Sequence, residues 1–259
     1  MKLEGKVAAI TGGTRGVGRA IAEAILAEGG KVVLNGRSNE KGQEAIAELG
    51  VGNRAIFVQG NVQDQEDVNR LVDTAVETFG TIDIMVNNAG GSSGFAPVAQ
   101  LSDAAWTECL NWNLNATFWG TRRALQTMEK NRSGRIINVS SVEGRQANMS
   151  AVSHYITNKH AINGFTRAVA FEYGPIGITC NALCPGAMET DIMKSAGPEA
   201  AAAQGMSYEE FLNTYAQQPS IKRLNTVTEV AALAVFIASE MGSGINGALL
   251  DIHGGSLLA

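Results

Sequence analysis

Short apolar runs recur along the chain at 7–10, 32–35, 55–58, 82–86, 135–139, 178–183 and 248–252. They are nearly unbroken rather than alternating, the pattern of strands covered on both faces. The stretches between them carry apolar residues at helical spacing. One helix follows Gly18, turns Ala20, Ile21, Ala24, Ile25 and Leu26 inward, and stops at Gly29-Gly30. Others are expected at 40–49, at 63–79, and from about 103 to 130 in two pieces after a Ser102 cap. A further helix carries Tyr155 and stops at Gly174-Pro175, and the last, 227–239, takes Thr226 or Thr228 as its cap. Residues 188–218 read as an irregular, partly helical insertion. Strands alternating with helices predict an α/β fold, a doubly wound parallel sheet. No linker, repeat or composition break divides the chain, so 1–259 is expected to be a single domain with 188–218 as a substrate lid.

Composition narrows the function classes. A hydrophobic content of 45% with 17% charged residues fits a chain with a large core. The net charge of −5 provides no basic field for nucleic acid or anionic membranes. No apolar run is long enough to span a bilayer, and the N-terminus lacks the apolar region of a signal peptide. Cys109, Cys180 and Cys184 show no zinc spacing and read as small core residues, which predicts no metal and a cytoplasmic location.

The chemistry centres on Tyr155 and Lys159, four apart and so on one helix face. A phenol has a reference pKa of about 10, and a neighbouring ammonium favours its ionised form. A serine from Ser140-Ser141 could hold a substrate oxygen while Tyr155 moves its proton. Such chemistry on a carbonyl/alcohol pair needs a hydride partner, and the chain has a place for one. Gly12, Gly16 and Gly18 lie between the first strand and first helix, with Thr14, Arg15 and Val17 among them. Glycines there let backbone N–H groups approach a pyrophosphate. Asn87-Asn88-Ala89-Gly90 ends the fourth strand, at the sheet edge where such folds bind ligands.

Thr11-Gly12-x-x-x-Gly16-x-Gly18, Asn87-Asn88-Ala89-Gly90, Asn113, Ser141, Tyr155-x-x-x-Lys159 and Pro185-Gly186 together resemble the short-chain dehydrogenase/reductase family over about 6–255. The resemblance implies a Rossmann-like single domain that passes a hydride between a nicotinamide cofactor and a ketone or secondary alcohol. It implies Tyr155 as general acid/base, Lys159 as the residue that lowers its pKa and holds the nicotinamide ribose, Ser141 at the substrate oxygen, and Asn113 holding a relay water. It further implies cofactor contacts from Gly12, Thr14, Arg15, Gly16, Val17, Gly18, Arg37, Asn61, Val62, Asn88, Ala89, Gly90, Pro185, Gly186, Met188 and Thr190. The gap from Ser141 to Tyr155 is one residue longer than the family's, which keeps Ser140 as the alternative. Asn61-Val62 stands where the family more often has Asp-Val, and the Asn61 amide oxygen is expected to accept from adenine.

The second strand ends Leu34-Asn35-Gly36-Arg37, without the acid that selects NAD, so NADP(H) is expected, held by Arg15 and Arg37. NAD(H) with oxidation of a secondary alcohol or sugar is the alternative, and a catalytically silent cofactor-binding scaffold is another. Substrate contacts are expected from Glu143, Met149, His154, Met188 and Met193, with a core or solvated histidine as the other reading of His154. Met206, Tyr208, Phe211 and Tyr215 in the lid, with Phe95, imply a small-molecule substrate with an apolar body. A homotetramer is implied by the resemblance. Its contacts would lie on the helices at 105–130 and 152–173, which carry Phe118, Trp119 and Phe171, and on the apolar end 254–259.

Overall fold

A computed structural model describes residues 1–256, except for the side chains of Asp191, Ile192 and Ala196. Seven strands form one parallel sheet in the order β3-β2-β1-β4-β5-β6-β7. They are β1 (Val7–Ile10), β2 (Lys31–Gly36), β3 (Ala55–Gln59), β4 (Ile84–Asn87), β5 (Gly134–Val139), β6 (Ile178–Pro185) and β7 (Leu249–Ile252). The order reverses between β1 and β4, so their carboxyl ends splay into a crevice. This is the expected Rossmann-like α/β fold.

Strand alternation divides the core in two. Ala8, Ile10, Val32, Leu34, Ile84 and Val86 face α1 (Gly16–Ala27) and α9 (Val227–Ala238). Val7, Ala9, Val33, Met85 and Ile136 face α3 (Gln65–Phe79), α5 (Ala116–Asn131) and α6 (Ser153–Tyr173). Both faces of every inner strand are therefore dry, which accounts for the unbroken apolar runs. Helix α2 (Asn39–Leu49) flanks β3, and helix starts follow local chemistry. Ser102 caps α4 (Asp103–Leu110) by accepting from Ala105 N at 3.2 Å. Thr226 and Glu229 form a capping box on α9, which places the cap at Thr226 rather than Thr228.

Two regions differ from expectation. The two pieces at 103–130 are joined by a π-helical turn, Asn111–Asn115, so the break is a widened turn rather than an interruption. The 188–218 insertion is more regular than expected, with α7 (Asp191–Ala203) and α8 (Tyr208–Ala216). Alanine-rich sequence and a Ser207–Glu210 capping box supply helix signals in place of an apolar stripe. Leu257, Leu258 and Ala259, at the apolar end expected to meet a neighbour, lie outside the described residues.

Candidate active site

A groove of about 440 Å³ follows the carboxyl ends of the strands. Gly12 and Gly16 adopt φ of 62° and 56°, so the first loop arches with its backbone toward the groove. Gly18 does not line the groove. A Cβ there would collide with Gly12 O and with Asn88 Nδ2, so this glycine lets α1 pack closely on the loop. Asn88 fixes that loop: its Nδ2 donates to Thr11 O at 2.9 Å and to Gly12 O at 3.2 Å. Backbone N–H groups of Asn88 and Ala89 donate to Thr11 Oγ1. The Asn-rich segment therefore ties two strand ends together. Beneath it, Asn87 Nδ2 donates to Asn138 Oδ1 at 2.8 Å and to Thr121 Oγ1 at 3.0 Å. These buried pairs lock β4 to β5 and α5.

At the inner end, Ser141, Tyr155 and Lys159 line the groove with Val139, Gly90 and Gly186. Ser140 and Ser141 separate clearly. Ser140 is buried and its Oγ donates to Lys159 O at 3.2 Å. Ser141 caps a short turn, accepting from Glu143 N at 3.1 Å, and its hydroxyl stands close enough to the Tyr155 phenol to favour the ionised form. Lys159 Nζ donates to Val139 O at 3.0 Å and stands 5.4 Å from the Tyr155 ring centroid. Burial pulls the lysine down to about 8 and pushes the phenol up to about 12, the latter opposed by the Ser141 hydrogen bond. Burial therefore sets the direction for Tyr155, opposite to the lowering expected from Lys159, whose ammonium is bonded to a backbone carbonyl.

Asn113 lies behind this surface in the π turn, fully buried, with Nδ2 donating to Gly91 O at 2.7 Å and Cys109 O at 2.8 Å. Its Oδ1 has no partner among the described residues. A Cβ on Gly90 would lie 2.6 Å from that oxygen and 3.3 Å from Lys159 Nζ, so glycine here lets both polar groups approach one spot. Asn115 instead bonds Asn111. Pro185, Gly186, Met188 and Thr190 form the opposite wall. Gly186 abuts His253, whose Cα would be 2.9 Å from an added Cβ. Thr190 caps α7 with its side chain.

At the outer end stand Thr14, Arg15, Val17, Gly36, Arg37, Asn61 and Val62. Asn61 Oδ1 accepts from Gln63 N at 3.2 Å, so the oxygen expected to meet adenine already closes a turn. Ser38, Lys41 and Trp112 also line the groove and were not anticipated. A signal for Ser38 existed, since it caps α2 by accepting from Lys41 N immediately after the strand-end Arg37. Among the described residues no acid lines the groove, although the chain carries 25 acids against 20 bases.

Several expected substrate contacts lie away from the groove. His154 is fully buried and its Nε2 bonds Ser93 O at 2.9 Å, which corrects the substrate reading in favour of a core histidine that pins the 92–95 loop. Glu143 is buried, accepts from Gln146 Nε2 at 3.4 Å through Oε1, and does not line the groove. It turns into its own loop because the turn capped by Ser141 directs it inward. Burial raises its carboxyl above the usual range. Met149 is exposed and borders a second cavity of about 540 Å³ with Gln146, Phe211, Tyr215 and Gln218. Met193 lines neither cavity.

Comparison with known proteins agrees with this geometry. Residues 6–201 match the family model described as short chain dehydrogenase. The chain is 37% identical over 256 residues to 3beta-hydroxysteroid dehydrogenase 2 of Eggerthella lenta, covering 98% of this chain and 95% of the relative. It is 35% identical over 257 residues to the 3-oxoacyl-[acyl-carrier-protein] reductase FabG of Aquifex aeolicus, covering 98% of each. A crystal structure of a point variant of actinorhodin polyketide ketoreductase with NADPH superposes with a TM-score of 0.91 at 31% identity, covering 97% of each chain. With the glycine arch, the strand-end crevice and the Ser–Tyr–Lys cluster in one groove, the chain belongs to the short-chain dehydrogenase family and is an NAD(P)-dependent oxidoreductase.

Proposed function

We propose that this protein reduces a ketone to a secondary alcohol with NADPH, Tyr155 delivering the proton. The carrying observation is that Ser141, Tyr155 and Lys159 converge at one end of a groove whose other end presents Arg15, Arg37 and Lys41, with no carboxylate among the described residues. The residues suit a dinucleotide: the Gly12–Gly16 arch and the start of α1 present backbone to a pyrophosphate, and the cations suit a 2′-phosphate. When bound, the nicotinamide supplies the hydride. Ser141 Oγ orients the carbonyl oxygen beside the phenol. A phenol held near 12 stays protonated at neutral pH, which suits a donor to a developing alkoxide. Lys159 holds the ribose and supports the phenolate left behind, and Asn113 Oδ1 is placed to hold a water that returns the proton. The names of the FabG relative and of the NADPH-bound ketoreductase support the reductive reading.

The substrate body is assigned to the second cavity, between Gln146–Met149 and α8. Its amides and hydroxyls around Met149 and Phe211 favour a neutral substrate with hydrogen-bonding groups on an apolar frame. The active form is proposed to be a homotetramer, supported by Phe171 at 87% exposure on α6 and by exposed Phe118 on α5. The test is ketone-dependent NADPH oxidation across 3-oxoacyl thioesters, steroids and simple ketones, with light scattering for mass. A silent scaffold would show no turnover with any of them, and an oxidative NAD enzyme would turn over only alcohols with NAD.

A further inference from the structure

Trp112 lies one residue before Asn113 in the π turn, and its indole forms part of the groove wall. Two neighbours hold it there. A Cβ on Gly91 would come within 2.8 Å of Trp112 Cη2, so the ring edge rests where only glycine leaves room. On another side the ring packs against the Val62, Val68 and Ala116 cluster. From the opposite wall, at the end of β2, Arg37 reaches across and places its Cζ 5.9 Å from the indole centroid. Arg37 is exposed and forms no ion pair among the described residues. Its backbone is anchored because its carbonyl accepts from Gln59 Nε2 at 3.1 Å, which leaves the side chain free to swing.

This contact covers one face of the indole. A planar base between a guanidinium and a ring needs roughly 7 Å, two contacts of about 3.5 Å each. The observed 5.9 Å leaves no such layer, so a ligand stacking on Trp112 must first displace Arg37. An exposed cation–π contact is weak, whereas a guanidinium on a phosphate dianion makes paired, charge-assisted hydrogen bonds. We infer that Arg37 and Trp112 form an exchange gate: in the free protein Arg37 parks on the indole, and a 2′-phosphorylated adenosine draws it away so that the purine stacks on Trp112. The 2′-phosphate then both binds Arg37 and uncovers the stacking face. An adenosine without it must displace Arg37 with no compensating partner, so the gate adds to the discrimination set by the missing strand-end acid. This rests on the NADP(H) reading above.

The test uses 2′-phosphoadenosine 5′-phosphate and adenosine 5′-phosphate as probes of the whole protein, by calorimetry and by tryptophan emission. Base–aromatic stacking predicts that Trp112→Leu weakens the 2′-phosphorylated probe about 10-fold. Trp112→Phe keeps an aromatic face and should stay within about threefold of wild type, which guards against a merely misfolded leucine variant. The 2′-phosphorylated probe should change wild-type emission, and Trp112→Leu, which retains Trp106 and Trp119, should lose that change. Equal affinity of Trp112→Leu and wild type, or an undiminished emission change, would overturn the gate while leaving the NADP(H) reading intact. Tight binding of adenosine 5′-phosphate without any preference for the 2′-phosphorylated probe would overturn both.

Discussion

The two ends of the groove are built on opposite principles. At the inner end, where the proposed reaction takes place, the polar groups are tied into the protein: Lys159 on Val139 O, Asn113 on Gly91 O and Cys109 O, Ser140 on Lys159 O. At the outer end, proposed to take the nucleotide, Arg15, Arg37 and Lys41 are exposed and without ion-pair partners among the described residues. Fixed, desolvated groups set the position and energy of a proton, so they act on the chemical step. Exposed flexible cations act on capture and selection, and their influence is screened by salt. Each experiment below separates the two ends or collapses the distinction.

The largest effect is expected for Tyr155→Phe, which removes only the phenol oxygen. Turnover should fall on the order of 10² to 10⁴-fold with cofactor affinity nearly unchanged. Wild-type turnover with a substrate for which chemistry limits the rate would show that Tyr155 is not the donor. Next is Gly36→Asp with Arg37→Ala, which should reverse the NADPH over NADH preference in kcat/KM. Two charge-assisted contacts of about 1.5–3 kcal/mol each amount to a hundredfold or more. An added Cβ at Gly36 lies 3.0 Å from Thr14 Cγ2, so Gly36→Ala is the control for crowding. A wild-type enzyme that favours NADH would refute the assignment of this end.

The two serines test the inner end more finely. Ser141→Ala should lower kcat on the order of 10²-fold, as for loss of one oriented donor. Ser140→Ala should leave kcat within about threefold and cost about 1 kcal/mol of stability by freeing Lys159 O. The reverse pattern would move the substrate oxygen to Ser140. The smallest effect concerns stability and pH. Lys159 is held near 8 in the fold against an ordinary value of 10.5, so between those values the unfolded chain binds more protons than the folded one. Stability from this group should therefore rise as pH rises from about 8 to 10.5, and the burial penalty is fully present below 8. Lys159→Met should raise the melting temperature of the ligand-free protein at pH 7 and flatten that dependence while abolishing turnover. An unchanged slope in the variant would assign the pH dependence to other groups.

The sequence by itself determined the sheet and singled out Tyr155 and Lys159, which the fold places in one groove. Strand and helix periodicities are local, as are the glycine arch, the Tyr155–Lys159 spacing and the missing acid at Gly36, and local patterns survive reading in one dimension. Only the tertiary structure decided which neighbour of a pair keeps its polar atom for the groove. Ser140 and Ser141 are adjacent, chemically identical and both line the groove, and the bond from Ser140 Oγ to Lys159 O separates them. Glu143 and His154 lie beside Ser141 and Tyr155 in sequence yet turn inward to serve Gln146 and Ser93 O. Trp112 enters the site from a π turn that changes the face its side chain presents. Burial likewise reversed the expected direction for Tyr155, because desolvation depends on everything packed around the phenol while spacing reports only the lysine one turn away.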